Sequence, residues 1–330
     1  FVTLHIPLTD ETRHLLDAAA LARMKRSARI VNCARGGLLD EKALLEALQS
    51  GHLAGAALDV FQKEPPEDLA LVAHPAVIST PHLGASTVEA QERVGVDVAT
   101  KVREFLLTGT ILDAVNFPAV SREEYAVLQP VMDLGECLGR FLGQVARGGM
   151  RALELRCYGD FNKRPLRPLV MAAVKGLLAP VLAGTISNVN ALEMAAQRGL
   201  MVEEGRSNES TPFAGLLRLS LKTDMEKVTV AGTLFTHQHP RLVEVDGVRL
   251  ECSPKGHLLF FRNRDVPGVV GRIGTILGEA QVNIVGLQLG RAAPLKTAVS
   301  LVKVDGPIPT AALEALRALP ELEFCRALKV

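Results

Sequence analysis

Residues 29–40 read R-I-V-N-C-A-R-G-G-L-L-D, residues 55–66 read G-A-A-L-D-V-F-Q-K-E-P-P, and residues 80–87 read T-P-H-L-G-A-S-T. Each stretch begins with, or follows, a short apolar run of the length a buried strand needs, and each ends in a loop. The three loops present Arg35, Asp59, Glu64 and His82, and loops at strand ends are where an α/β sheet builds a site. An arginine can fork onto a carboxylate, a histidine can move a proton, and a glutamate can hold that histidine and favour its protonated form. Together they are suited to oxidising a hydroxy acid.

Outward from these loops the chain alternates strand and helix. Val2 to Ile6 reads as a strand, Asp17 caps a short helix to Lys25, and Ile30 to Cys33 is a second strand. Asp40 caps a helix over Glu41 to Ser50 closed by Gly51, and Ala56 to Val60 and Val77 to Ser79 are further strands. This alternation predicts parallel strands with right-handed crossovers. Ser86, with Glu89 three residues on, reads as a capping box that opens a helix to about Leu107.

With their order and spacing, I-V-N-C-A-R-G-G-L-L-D-E-K-A-L, A-A-L-D-V-F-x-x-E-P and P-H-L-G-A-S-T resemble the D-isomer-specific 2-hydroxyacid dehydrogenases and, within them, the phosphoglycerate dehydrogenases. The resemblance implies a Rossmann-type α/β domain that binds NAD, with Arg35, Glu64 and His82 catalytic. It implies cofactor contacts from His5, Ile6, Pro7, Cys33, Ala34, Arg35, Asp59, His82, Gly84 and Ala85, with Asp59 near the nicotinamide carboxamide. Cys33 reads as buried and is expected to lend its backbone rather than its thiol. The substrate implied is 3-phospho-D-glycerate. Other 2-hydroxy acids, those related to glyoxylate or hydroxypyruvate, are the alternative.

The resemblance also implies a G-x-G-x-x-G turn upstream, whose amides approach the cofactor pyrophosphate. Gly271, Gly274 and Gly278 have a different spacing, and the chain opens at Phe1 inside a strand-like F-V-T-L-H-I. The expectation is a C-terminal piece of a longer protein, entering midway through its dinucleotide-binding domain. A second reading of such a piece is a non-catalytic amino-acid-sensing and oligomerising module.

The expected organisation is the C-terminal half of a doubly wound domain over residues 1–85, a connecting helix with a remnant of the substrate domain over 86–120, an α+β intervening domain over 121–255, and a ferredoxin-like βαββαβ domain over 256–330. In the third part Tyr125 to Ala146 reads as a helix with Gly135, Gly139 and Gly143 at four-residue spacing, which permits close helix packing. A strand at Ala152 to Tyr158, helices at Leu166 to Leu182 and Asn190 to Arg198, and strands near Leu216 to Leu221, Lys227 to Leu234 and Arg241 to Val245 follow. N-V-N-A-L-E-M-A-A-Q-R-G and V-A-G-T-L-F resemble the intervening, allosteric substrate-binding domain of some bacterial phosphoglycerate dehydrogenases. In the fourth part R-D-V-P-G-V-V-G puts Pro267 at the first helical position and Asp265 near the cap, with Ile273, Ile276 and Leu277 on the buried face. This part resembles an ACT domain, which implies effector contacts from Asn263, Asp265 and Asn283 and, for this family, L-serine as effector.

Composition narrows the classes. The 330 residues are 48% apolar and carry 37 basic against 36 acidic side chains, a net charge of +1. That interspersed balance offers no electrostatic footprint for nucleic acid or an anionic membrane. Leu169 to Met194, the most apolar stretch, is interrupted by Lys175 and Pro180 and does not read as a membrane span. Cys33, Cys137, Cys157, Cys252 and Cys325 form no C-x-x-C pair, which argues against a disulfide framework or zinc site and fits a reducing cytoplasm. His237 and His239 lack the further ligands a metal needs and read as a surface turn. ACT-like modules commonly pair edge to edge, so a homo-oligomer, by resemblance a tetramer, is expected.

Overall fold

A computed structural model describes the chain apart from residues 68, 119, 183, 237 and 293–296. His237 therefore lies outside the described residues. The chain divides into two compact units, Phe1–Leu107 and Thr108–Val330.

The first unit contains β1 (Val2–Leu4), α1 (Ala18–Ala22), β2 (Arg29–Asn32), α2 (Glu41–Gln49), β3 (Gly55–Leu58), β4 (Val77–Ser79) and all but the last residue of α3 (Val88–Thr108). Its four strands are parallel in the order β1-β2-β3-β4. Ile30, Leu44, Leu58 and Leu21 are buried in one core between the sheet and the first two helices. Asp17 and Asp40 cap those helices as expected, accepting from the Ala20 and Ala43 amides, and Gly51 at φ +70 reverses the chain after α2. The expected capping box at Ser86 is not what starts α3. Thr87 Oγ1 accepts the Ala90 amide at 3.2 Å, one residue later in register, while the Ser86 amide is held by the Leu83 carbonyl. A capping box does form at Ser121 and Glu124, at the head of the next helix.

The second unit begins with α4 (Arg122–Val145), β5 (Met150–Gly159), a single 3-10 turn (Asp160–Lys163), α5 (Leu166–Leu178) and α6 (Ala191–Ala196). It continues with β6 (Met201–Ser207), β7 (Gly215–Thr223), β8 (Lys227–Phe235), β9 (His239–Val245) and β10 (Val248–Cys252). The sheet order is β10-β9-β8-β7-β5-β6. Its pairings are antiparallel except for β5 with β6. The sequence reading missed β6, an edge strand whose M-V-E-E-G-R-S is too polar to show an apolar alternation. It also missed β10, whose signal was present as Asp246-Gly247: both have positive φ and make the tight hairpin that Asp-Gly favours. The glycine spacing on α4 does what close packing demands. A Cβ at Gly139 would meet the Ala173 carbonyl oxygen at 2.1 Å, and one at Gly143 the Leu177 oxygen at 2.2 Å, both on α5.

The last elements are β11 (His257–Arg264), α7 (Val269–Glu279), β12 (Ile284–Ala292), β13 (Thr297–Val304), α8 (Thr310–Arg317) and β14 (Leu322–Lys329). The antiparallel sheet order β12-β13-β11-β14 is that of a βαββαβ ferredoxin-like fold. One sheet face, with Leu259, Phe261 and Val302, packs on Ile273 and Leu277 of α7 and Leu316 of α8. The other face, with Leu258, Phe260, Leu301 and Leu328, is part of the same core as α4. Phe260 meets Phe141 edge to face at 5.3 Å and Phe324 at 5.8 Å. Gln144 on α4 exchanges two hydrogen bonds with the Lys329 backbone, at 3.1 and 3.0 Å. The helix expected to start at Pro267 starts two residues later, because Gly268 takes a left-handed conformation at φ +90 and serves as the cap.

Candidate active site

In a parallel sheet all strands end at one edge, so the residues just after β1, β2, β3 and β4 share that edge. His5, Ile6 and Pro7 follow β1; Cys33, Ala34 and Arg35 follow β2; Asp59 follows β3; His82, Gly84 and Ala85 follow β4. These residues therefore lie at one edge of the sheet, and Glu64 lies farther along the loop that follows β3.

Each loop is held by a different device. After β2, Asn32 is 2% exposed and ties down the R-G-G turn: its Nδ2 donates to the Arg35 carbonyl at 3.0 Å and its Oδ1 accepts the Ala34 amide at 3.1 Å. The sequence reading passed over Asn32, although a polar amide inside an apolar strand is a signal that the backbone beyond it needs a partner. Cys33, expected to be buried, is exposed. β2 ends at Asn32, so alternation buries Asn32 and turns the next side chain outward. The Arg35 guanidinium is exposed and donates to the Ala34 carbonyl at 2.7 Å.

After β3, Asp59 is 5% exposed. Its carboxylate accepts from the Thr80 hydroxyl, from the Leu83 amide at 2.7 Å and from the Gly84 amide at 2.9 Å. These bonds flank His82, which sits at φ +58, a left-handed conformation that a histidine adopts only when its surroundings impose it. Burial alone would raise the Asp59 carboxyl. The Thr80, Leu83 and Gly84 donors and the His82 charge outweigh it and hold the carboxyl below its ordinary value.

Glu64 meets His82. Its Oε2 lies 2.7 Å from His82 Nδ1, and its Oε1 accepts the Phe61 amide at 3.0 Å. The His82 hydrogen bond, then the Phe61 amide, hold the Glu64 carboxyl below its ordinary value against a smaller opposing effect of burial. An ionised carboxylate only accepts, so Nδ1 carries the proton and Nε2 is left for chemistry. The turn that carries Glu64 is itself braced. A Cβ at Gly36 would meet the Phe61 carbonyl oxygen at 1.8 Å, so the arginine turn and the glutamate turn lie backbone to backbone. Glu41, at the start of α2, accepts the Gln62 amide. Burial pushes the Glu41 carboxyl above its ordinary value although the Gln62 amide pulls it down.

Along this edge Ile6 and Cys33 are exposed, and Gly84 presents bare backbone, a Cβ there coming within 3.2 Å of Asp59 Oδ2. Among the described residues no group of three or more His, Cys, Asp or Glu side chains could hold a metal ion.

The three residues expected to contact an effector are not brought together within one chain. Asn263, 2% exposed, lies opposite Ala298 on β13; its Nδ2 donates to the Arg264 carbonyl, and its Oδ1 has no hydrogen-bond partner among the described residues. Asn283 immediately precedes Ile284, which lies opposite Val304, at the other end of β13. Asp265 does not cap α7: its carboxylate pairs with Arg291 Nε at 2.9 Å, which the left-handed Gly268 cap leaves it free to do.

Residues 1–84 match the family described as D-isomer specific 2-hydroxyacid dehydrogenase, NAD binding domain; residues 127–246 match the D-3-phosphoglycerate dehydrogenase intervening domain; residues 257–321 match the ACT domain. The D-3-phosphoglycerate dehydrogenase of Bacillus subtilis (strain 168) is 36% identical over 321 residues, 97% of this chain and 61% of that protein. That of Synechocystis sp. is 40% identical over 317 residues, 96% of this chain and 57% of that protein. That of Methanocaldococcus jannaschii is 38% identical over 323 residues, 98% of this chain and 61% of that protein. The chain therefore spans 57–61% of the length of these relatives. In chain order, the three matches are to the NAD binding domain of the D-isomer specific 2-hydroxyacid dehydrogenases, the D-3-phosphoglycerate dehydrogenase intervening domain and the ACT domain.

Proposed function

We propose that this chain belongs to an NAD-dependent enzyme that oxidises 3-phospho-D-glycerate to 3-phosphooxypyruvate, the entry step of L-serine formation, under feedback by L-serine. The observation that carries the reading is the Glu64–His82 pair at the carboxyl edge of the sheet, with Nδ1 held and Nε2 free. Arg35 orients the substrate carboxylate and the C2 oxygen with its planar fork. His82 Nε2 takes the C2 hydroxyl proton as the carbonyl forms, and Glu64 stabilises the resulting imidazolium. Nicotinamide, when bound, supplies the acceptor for the C2 hydride. His5, Ile6, Pro7, Cys33, Ala34, Asp59, Gly84 and Ala85 hold it along the edge.

Feedback is assigned to the ACT domain, where Asn263, Asp265 and Asn283 are the residues proposed to meet L-serine. Because one chain separates Asn283 from the other two, a second copy supplies the missing side, in keeping with a homotetramer. No helix among the described residues is long and apolar enough to cross a membrane. The five free cysteines support a reducing cytoplasm.

The test is NADH oxidation with 3-phosphooxypyruvate, hydroxypyruvate and glyoxylate, each with and without L-serine, using the chain joined to the amino-terminal part its relatives carry. Turnover of 3-phosphooxypyruvate that serine suppresses is the expected result. Turnover of glyoxylate or hydroxypyruvate alone would reassign the substrate, and none at all would leave an effector-binding oligomerisation module.

A further inference from the structure

We propose that Glu41 is a positioning residue for the catalytic pair: by accepting the Gln62 amide, its carboxylate sets the direction in which Glu64 meets His82. The inference rests on the reading of Glu64 and His82 given above and adds a residue to it.

Glu64 and His82 are both on loops, and their side chains are 38% and 50% exposed. Exposed ionic partners gain little from each other unless something else holds their geometry. His82 is held by Asp59. Among the described residues, three contacts hold the backbone that carries Glu64. The Phe61 amide binds Glu64 itself, Gly36 lets the arginine turn lie against the Phe61 carbonyl, and Glu41 takes the Gln62 amide from 21 residues earlier in the chain. Gln62 is exposed, so its amide could be satisfied by water. The restraint from Glu41 is what ties it to a rigid element instead. That element, α2, is anchored by the Asp40 cap immediately after the arginine turn. Through Glu41 the helix connects the loop that orients substrate to the loop that orients the histidine.

An acid in the first turn of a helix also has a bland role, favouring the helix dipole. Charge and reach separate the two roles. Glu41→Asp keeps the charge at the helix start but is one methylene short of the Gln62 amide. Glu41→Gln keeps the reach and an acceptor oxygen but loses the charge. The readout is the tautomer of His82, from imidazole 15N shifts of the labelled chain at a pH where the ring is neutral, with Glu64→Ala as reference. In the wild-type chain the Nδ1–H tautomer is expected, and it is lost in Glu64→Ala. Glu41→Asp is expected to lose most of it, and Glu41→Gln to retain it. If Glu41→Asp matches the wild type, or if Glu41→Gln loses the tautomer as fully as Glu41→Asp does, the positioning role is overturned. If the wild type matches Glu64→Ala, the Glu64–His82 reading fails and this inference falls with it. Melting temperatures of both variants report the helix role separately: dipole support alone lowers that of Glu41→Gln and spares Glu41→Asp.

Discussion

Asp59 Oδ2 accepts the amide of Gly84, two residues beyond His82, at 2.9 Å, while its other oxygen accepts the amide of Leu83. One buried carboxylate thus fixes the backbone on the far side of the histidine and holds it in a left-handed conformation. Asp59→Asn keeps the shape but places an NH2 group against one of two amide donors. The His82 loop should relax, and kcat/KM for the proposed substrate should fall by about 10- to 100-fold, the scale of a small misplacement of a reacting group. Steady-state kinetics of the variant, with circular dichroism to show retained fold, checks this.

Both Asp59 and Glu64 sit below their ordinary values of 3.8 and 4.5 in the folded chain. A carboxyl depressed by folding contributes stability that is fully present above its ordinary value and is lost as the pH falls through its folded value. The first unit should therefore lose stability progressively in acid, starting below about pH 4.5. Urea unfolding of the first unit at a series of pH values measures it, and in Asp59→Asn the slope with pH should be shallower.

Thiol reactivity should separate one cysteine from four. Burial pushes the thiols of Cys157 and Cys252 up to about 12 and those of Cys137 and Cys325 up to about 11, whereas Cys33 is exposed at the carboxyl edge. Iodoacetamide on the folded chain should label Cys33 alone, and bound NAD should slow that labelling. Labelling of all five after unfolding is the control, read by mass spectrometry of the peptides.

Gly139→Ala forces a methyl to within 2.1 Å of the Ala173 carbonyl oxygen, so α4 and α5 must separate. The expected loss is about 1–3 kcal/mol, typical of overpacking. Gly95→Ala, on α3 with nothing within 4 Å of the added carbon, should be neutral or stabilising, because only helix propensity changes. Denaturant midpoints of the two variants make the comparison.

Much of the site was legible because its signals are local. R-G-G after an apolar run, E-P-P and P-H-L-G each mark a loop at a strand end, and period and capping rules alone placed β2, α2, β3 and β4 within a few residues. What escaped was local structure whose cause lies elsewhere. Thr87 rather than Ser86 caps α3, its Oγ1 taking the Ala90 amide, while the Ser86 amide is held by the Leu83 carbonyl. Cys33 faces outward because pairing stops at Asn32.

The amino-acid order by itself determined the strand and helix periods, the parallel first sheet and the ferredoxin-like last one, and it put Arg35, Glu64 and His82 forward as candidates. These follow from residue type, spacing and backbone preference over a few positions. Only the tertiary structure decided which groups hold them: Asp59 across 25 residues, Glu41 across 21, and the Gly36 backbone against Phe61. It also decided that both faces of the last sheet are buried, one on its own helices and one on α4, and that Asn283 stands at the opposite end of that sheet from Asn263. Such relationships depend on which backbone amides and faces long-range packing leaves next to one another, and no run of neighbouring residues encodes that.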